Sequence, residues 1–205
     1  MEALPLAFTT GWASGVNAYA SVLLLGLLGR FAGVEQVPVA LTRTDVMIVA
    51  GVLFALEFVT DKIPYVDSAW DAISTLIRPT VGAVVAALMA SDAPTLQQAI
   101  VAATGGTAAL VSHLIKSSLR LAVNTSPEPV TNIAVSSGED VAVAGVVSLA
   151  AFHPVAAAVI AGILLLLGLL TAFLAIRAIR RGLARFRTWR ERRAGSPSAA
   201  ADRTT

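Results

Sequence analysis

Apolar residues run along this chain in six blocks, at about 6–30, 45–60, 68–90, 98–119, 139–152 and 155–179. The first and last are long enough for the ~20 residues that cross a bilayer core. The second is short. The third is amphipathic up to Arg78-Pro79 and apolar from Thr80 to Ala90. The fifth has about 14 residues, or ~21 Å of helix, and stops at His153-Pro154. Short or proline-interrupted blocks need cover from protein or from a water-filled cavity. The pattern predicts an all-α transmembrane protein of about six membrane segments.

Two groups of blocks resemble each other. ASGVNAYASVLLLGLLGRFA (13–32) aligns with ATGGTAALVSHLIKSSLRLA (103–122), and TDVMIVAGV (44–52) then meets EDVAVAGVV (139–147). Three crossings per unit is an odd number, so the units at about 8–90 and 98–180 are expected to form an inverted repeat, an arrangement typical of transporters.

Composition agrees with a membrane domain: 56% hydrophobic, 14% charged and a mean hydropathy of +0.77. There is no cysteine, which excludes disulfides and thiolate metal sites. MEALPLAFTT has no basic n-region, so no cleaved signal peptide is expected. Residues 176–205 hold nine Arg and two acids, whereas the remainder holds six basic residues and eleven acids. The basic pI thus describes a tail and implies no nucleic-acid partner. By the positive-inside rule the tail is cytoplasmic, and six crossings then place both termini in the cytoplasm of a bacterial inner membrane. Residues 181–194 read as a basic amphipathic helix on anionic lipid, with Phe186 and Trp189 among the arginines. Residues 195–205 read as a disordered tail.

Charge in the apolar region concentrates in two stretches. EFVTDKIPYVDSAWD (57–71) places Glu57 with Asp61 and Asp67 with Asp71, each pair i,i+4 on a helix face, with Arg78 seven residues on. Glu57 follows GVLFAL, and an intramembrane acid is a functional candidate by default. SHLIKSSLR places His113, Lys116 and Arg120 on one face. The chain has thirteen Arg and two Lys, and Lys62 and Lys116 fall one in each stretch. The acids are expected to face the basic stripe, either across a polar cavity or as salt bridges that fasten helix ends.

NTSPEPVTNIAVSSGEDV (124–141) adds Asn124, Glu128, Asn132, Glu139 and Asp140. Ser126-Pro127-Glu128 has the form of a helix start, and Ser137 or Gly138 is expected to cap the fifth span. The segment between reads either as a polar loop or as a dip against the membrane domain. Ser14-Gly15 and Asn17 interrupt the first block, as Thr104-Gly105-Gly106-Thr107 interrupts the fourth. Small residues there allow close helix packing, and Asn17 needs hydrogen-bonding partners.

SG-x-NAY, EFVTDKIPYVDSAWD, IRPTVGA, SHLIKSSLR and N-x-SPEPVTN-x-x-x-S-x-x-ED together resemble a family of bacterial integral membrane proteins known only as a domain of unknown function, number 4126. The resemblance covers about residues 8–175 and implies the membrane fold without an activity. No Walker loop, HExxH, GxSxG or CxxC is present, and no cofactor or metal is expected. The residues themselves point to a small transporter or flippase. Lys116, His113 and Arg120 would draw an anionic group, and Glu57 and Asp61 would carry protons or a coupling cation. Alternatives are a scaffold held by salt bridges and an intramembrane lipid head-group enzyme using His113 as acid or base. Lipid and an unidentified small molecule are the expected partners, and a homo-oligomer is compatible with the pattern.

Overall fold

The computed structural model describes residues 3–63, 65–124 and 129–194, except for the side chains of 129 and 191–194. Glu128, the Ser126-Pro127 cap and residues 195–205 lie outside the described residues. Within them are six helices and no strand: α1 (Ala3–Phe31), α2 (Thr44–Thr60), α3 (Val66–Met89), α4 (Thr95–Val123), α5 (Pro129–Phe152) and α6 (Pro154–Ala194). A short 3-10 turn, Val39–Thr42, precedes α2. By length and composition α1, α3, α4, α5 and α6 could each cross a membrane.

α1 is not one straight rod. A straight helix of its 29 residues would be about 43 Å long. Yet Ala3, at its start, and Val37, just past its end, line the same cavity of about 790 Å³. The chain doubles back at Asn17, whose φ of −150° and ψ of 99° are extended rather than helical. Residues 3–16 descend and residues 18–31 return. Asn17 caps the returning limb: its Oδ1 accepts the Ala20 N–H at 2.9 Å, the N3 position of a standard N-cap. Its Nδ2 donates to Asp140 Oδ1 at 3.2 Å. The amide thus finds the partners that burial demands.

The remaining helices surround this hairpin. Met89, Asp92, Phe152 and Pro154 share the cavity with Ala3 and define what is here called the upper end. α2 starts there, with Arg30 donating to Thr44 Oγ1 at 2.7 Å, and descends to Asp61 beside Lys116. α3 rises, α4 descends, α5 rises and α6 descends. The descending limb of α1 runs parallel to α4: Gly11 abuts Gly105, Ser112 Oγ donates to the Trp12 carbonyl and Lys116 Nζ to the Val16 carbonyl. α1 is buried without interruption from Thr9 to Ser21, whereas most of α6 is exposed toward where lipid would lie.

Two expectations change. The hairpin places Ala3 and Ala194 at opposite ends of the bundle, where six straight crossings would bring both termini to one end. α5 begins at Pro129 rather than near 138, because the polar stretch before Glu139 is helical and buries Asn132 and Ser136. Glu139 and Asp140 are therefore interior helix positions, not a first turn. α6 runs without a break to Ala194, about 60 Å, so its Arg-rich part continues the last span.

The cap makes Asn17 a sensitive position. Asn17→Ala removes both the cap and the tie to Asp140. It is expected to cost about 1–2 kcal/mol in reversible unfolding, whereas Asn17→Asp, which keeps the cap, places a further acid beside Asp140 and should be destabilising mainly at high pH.

Candidate functional site

The hairpin tip is where the two charged stretches meet. A helix end leaves carbonyls without partners and carries partial negative charge. Here the descending limb ends against cations: Arg78 Nη1 donates to the Gly15 carbonyl at 3.2 Å, and Lys116 Nζ to the Val16 carbonyl at 2.8 Å. The i,i+4 and i,i+7 spacings on α2, α3 and α4 turn the acids and bases inward toward that tip.

Each cation holds several carboxylates. Arg78 pairs with Glu57 at 2.7 Å and Asp71 at 3.1 Å. Lys116 pairs with Asp61 at 2.7 Å, Glu139 at 3.4 Å and Glu57 at 3.5 Å. Arg120 reaches Asp61 at 2.8 Å, Glu139 at 2.9 Å, Asp67 at 3.5 Å and Asp71 at 3.9 Å. It also donates to the Asp61 carbonyl at 2.9 Å, which ties off the end of α2. Asn124 Nδ2 donates to Asp67 Oδ1 and Ser68 Oγ, both at 2.9 Å, and Asn132 Nδ2 donates to the Asp61 carbonyl at 3.3 Å. Lys62 closes the lower side. It lies 3.7 Å from Asp140, donates to Ser136 Oγ at 3.3 Å and sits over the Phe58 ring.

His113 is fixed in one tautomer by its neighbours. Arg78 has only donors, so the 2.9 Å contact from its Nη1 makes His113 Nδ1 an acceptor. Nε2 then carries the proton and donates to Thr75 Oγ1 at 3.0 Å, while Thr75 donates to the Asp71 carbonyl. Both ring nitrogens are engaged, which leaves little room for a role as acid or base. His153 lies beside Pro154 at the upper end, far from His113.

The network is enclosed. Glu57, Asp61, Asp67, Asp71, Arg78, Lys116 and Arg120 are each at most 3% exposed. Glu139, Lys62 and Asp140 are somewhat more open. The cavity of about 790 Å³ is at the other end of the bundle and touches none of these groups. Among the described residues, no donor meets Glu57 Oε2, Asp61 Oδ1 or either Asp71 oxygen with hydrogen-bond geometry, although Arg78 and Arg120 lie 3.1 and 3.9 Å from the Asp71 oxygens. With His113 neutral, six carboxylates (Glu57, Asp61, Asp67, Asp71, Glu139, Asp140) face four cations (Lys62, Arg78, Lys116, Arg120). With every acid counted as ionised, the described groups of the network carry a formal excess of two negative charges.

Every charged or amide residue singled out from the sequence and described in the structure belongs to this assembly. A family described as Domain of unknown function (DUF4126) matches residues 4–173. The chain belongs to that family. The DUF4126 match takes in the hairpin, the whole network and the span of α6, and stops before the arginines that begin at Arg177. No curated protein and no solved structure matches the chain.

The sequence reading left out Thr75, Ser112 and three carbonyls, of Val16, Gly15 and Asp61. Thr75 is four residues after Asp71, and Ser112 directly precedes His113, so both could have been found from helical spacing. The carbonyls could not, because their exposure follows from the break at Asn17. The three glycines of the α1 and α4 interruptions, Gly15, Gly105 and Gly106, do not act alike. Gly105 packs against Gly82 and Ala86 within an unbroken α4, and the backbone opens only in α1.

Proposed function

We propose that the chain is a small proton-coupled transporter or flippase of the bacterial inner membrane, centred on the charge network at the hairpin tip. The observation that carries this reading is the excess of two carboxylates in an enclosed network. An uncompensated buried charge costs several kcal/mol, so such acids take up protons or a cation. Among the described residues no three His, Cys, Asp or Glu are arranged to hold a metal ion, which favours protons. Helix ends that meet ionisable groups at membrane depth are a recurring design for coupled transport.

Topology supports the same reading. The returning limb of α1, α2 and α3 run opposite to α4, α5 and α6, as an inverted repeat of residues 8–90 and 98–180 requires, with the descending limb as an addition to the first unit. The arginines of residues 177–193 support a cytoplasmic lower end, which in this reading puts the start of α1 on the periplasmic side. In this reading 181–194 is a basic cytoplasmic helix near anionic lipid, with Phe186 and Trp189 stacked at 5.7 Å. The anionic substrate expected from the basic stripe loses support: Arg78, Lys116 and Arg120 are each already shared among carboxylates.

The enclosure of the network favours a second reading, a structural clamp in a non-transporting scaffold. A pH jump across protein adsorbed on a solid-supported membrane separates the two. Transport coupling predicts a transient charge displacement in the wild type that disappears in Glu57→Gln while the melting temperature stays within a few degrees. No displacement in the wild type, with Glu57→Gln strongly destabilised, would leave the clamp.

A further inference from the structure

We propose that a crevice between α1, α4, α5 and α6 binds a small amphiphilic organic cation, with the Glu139 carboxylate facing its charged group. This rests on the transport reading for its purpose and names the class of substrate. The crevice has a volume of about 240 Å³, and its walls include Trp12, Ile115, Leu119 and Leu164. Polar groups enter it at one place: Ser112, Lys116 and Glu139. All three have partners, and Glu139 Oε2 is held by Arg120 at 2.9 Å and Lys116 at 3.4 Å. Ser112 Oγ donates to the Trp12 carbonyl, and Lys116 is held by Asp61 and the Val16 carbonyl with 2% of its side chain exposed. Glu139 has 17% of its side chain exposed and is the network acid that the crevice reaches. Gly138 precedes it with open space where a Cβ would stand.

Charge decides the sign of the ligand. The network behind Glu139 holds six carboxylates and four cations, so a monocation halves the excess and an anion raises it to three. The apolar walls require an apolar body on the ligand, and an indole wall tolerates a cation at its face. The volume lies just under the range of drug-sized pockets, which limits the ligand to a small molecule. Among the described residues, the groups facing Glu139 are Lys116 and Arg120 from α4, Lys116's partners Asp61 and Glu57 from the end of α2, and Asp67 and Asp71 of α3 through Arg120. A bound cation competes with protons for that shared excess, so binding is accompanied by proton release.

Calorimetry on the full chain in lipid nanodiscs tests this with benzyltrimethylammonium, its neutral carbon isostere neopentylbenzene, and benzylphosphonate. The expected result is saturable binding of the cation alone, tighter at higher pH, with a heat that varies with buffer ionisation. Glu139→Gln should weaken binding at least tenfold. Leu119→Trp, which fills the crevice and leaves the charges in place, should do the same, so a folding defect in the first variant does not decide the matter. Equal binding of neopentylbenzene would mean a crevice for lipid tails and would overturn the proposal, as would preference for the phosphonate or no binding at all. Cation binding without any pH-jump current would remove the transport reading and leave the site. Current without cation binding would do the reverse.

Discussion

Lys116→Met is expected to lower stability by about 3–5 kcal/mol, the range for breaking a buried ion pair by removing one partner. Lys116 touches Asp61, Glu139, Glu57 and the Val16 carbonyl, so its loss unpairs the hairpin tip and raises the acid excess from two to three. Urea- or heat-induced unfolding in detergent gives the size of the effect. Adding Asp61→Asn should recover a substantial part of it, because the pair lies at 2.7 Å and the two changes are strongly coupled. The pH-jump current should stay absent in the double variant. Recovery of stability together with recovery of current would mean that neither group takes part in coupling. An equal loss of stability in single and double variants would mean that the energy is held elsewhere in the network.

Gly15→Leu should be as damaging, through packing rather than charge. A Cβ at Gly15 would collide with Ser112 Oγ and the Ala109 carbonyl of α4, and backbone cannot move aside as a side-chain tip can. A Cβ at Gly105, on the neighbouring seam between α4 and α3, would meet Ala86 Cβ at 2.5 Å and the Gly82 carbonyl at 2.6 Å. Overpacking a close seam costs about 1–3 kcal/mol or more, and here it also pulls the Val16 carbonyl from Lys116. The expected outcome is a large drop in melting temperature and in the yield of monodisperse protein. Gly182→Leu, with open space around it, should match the wild type.

The charged assembly was readable in advance because membrane burial leaves few options. Glu57, Asp71, Lys116 and Arg120 sit at helical spacings in apolar surroundings, and such groups must find each other or water. The start of α5 was not readable for a related reason. Asn132 and Ser136 face the network, so their stretch lacks the apolar face by which a helix is recognised. The hairpin was hidden more thoroughly. A run of 25 apolar residues looks the same whether it crosses the bilayer or enters and returns, and Ser14-Gly15 with Asn17 marked an interruption without its angle. Only the cavity that Ala3 and Val37 line together reveals the reversal, and that is a relation between residues far apart in sequence. Counting apolar blocks therefore gave no sign that the first one reverses at Asn17.

The absence of cysteine makes the hairpin directly measurable. Single changes Leu4→Cys, Gln36→Cys and Thr188→Cys can be labelled in intact cells with a membrane-impermeant maleimide. A hairpin at Asn17 predicts that positions 4 and 36 react from the same face, and that position 188 reacts only after the cells are opened. If 4 and 36 react from opposite faces, α1 crosses the membrane, the helix ends do not meet the network at a tip, and the site described here does not exist.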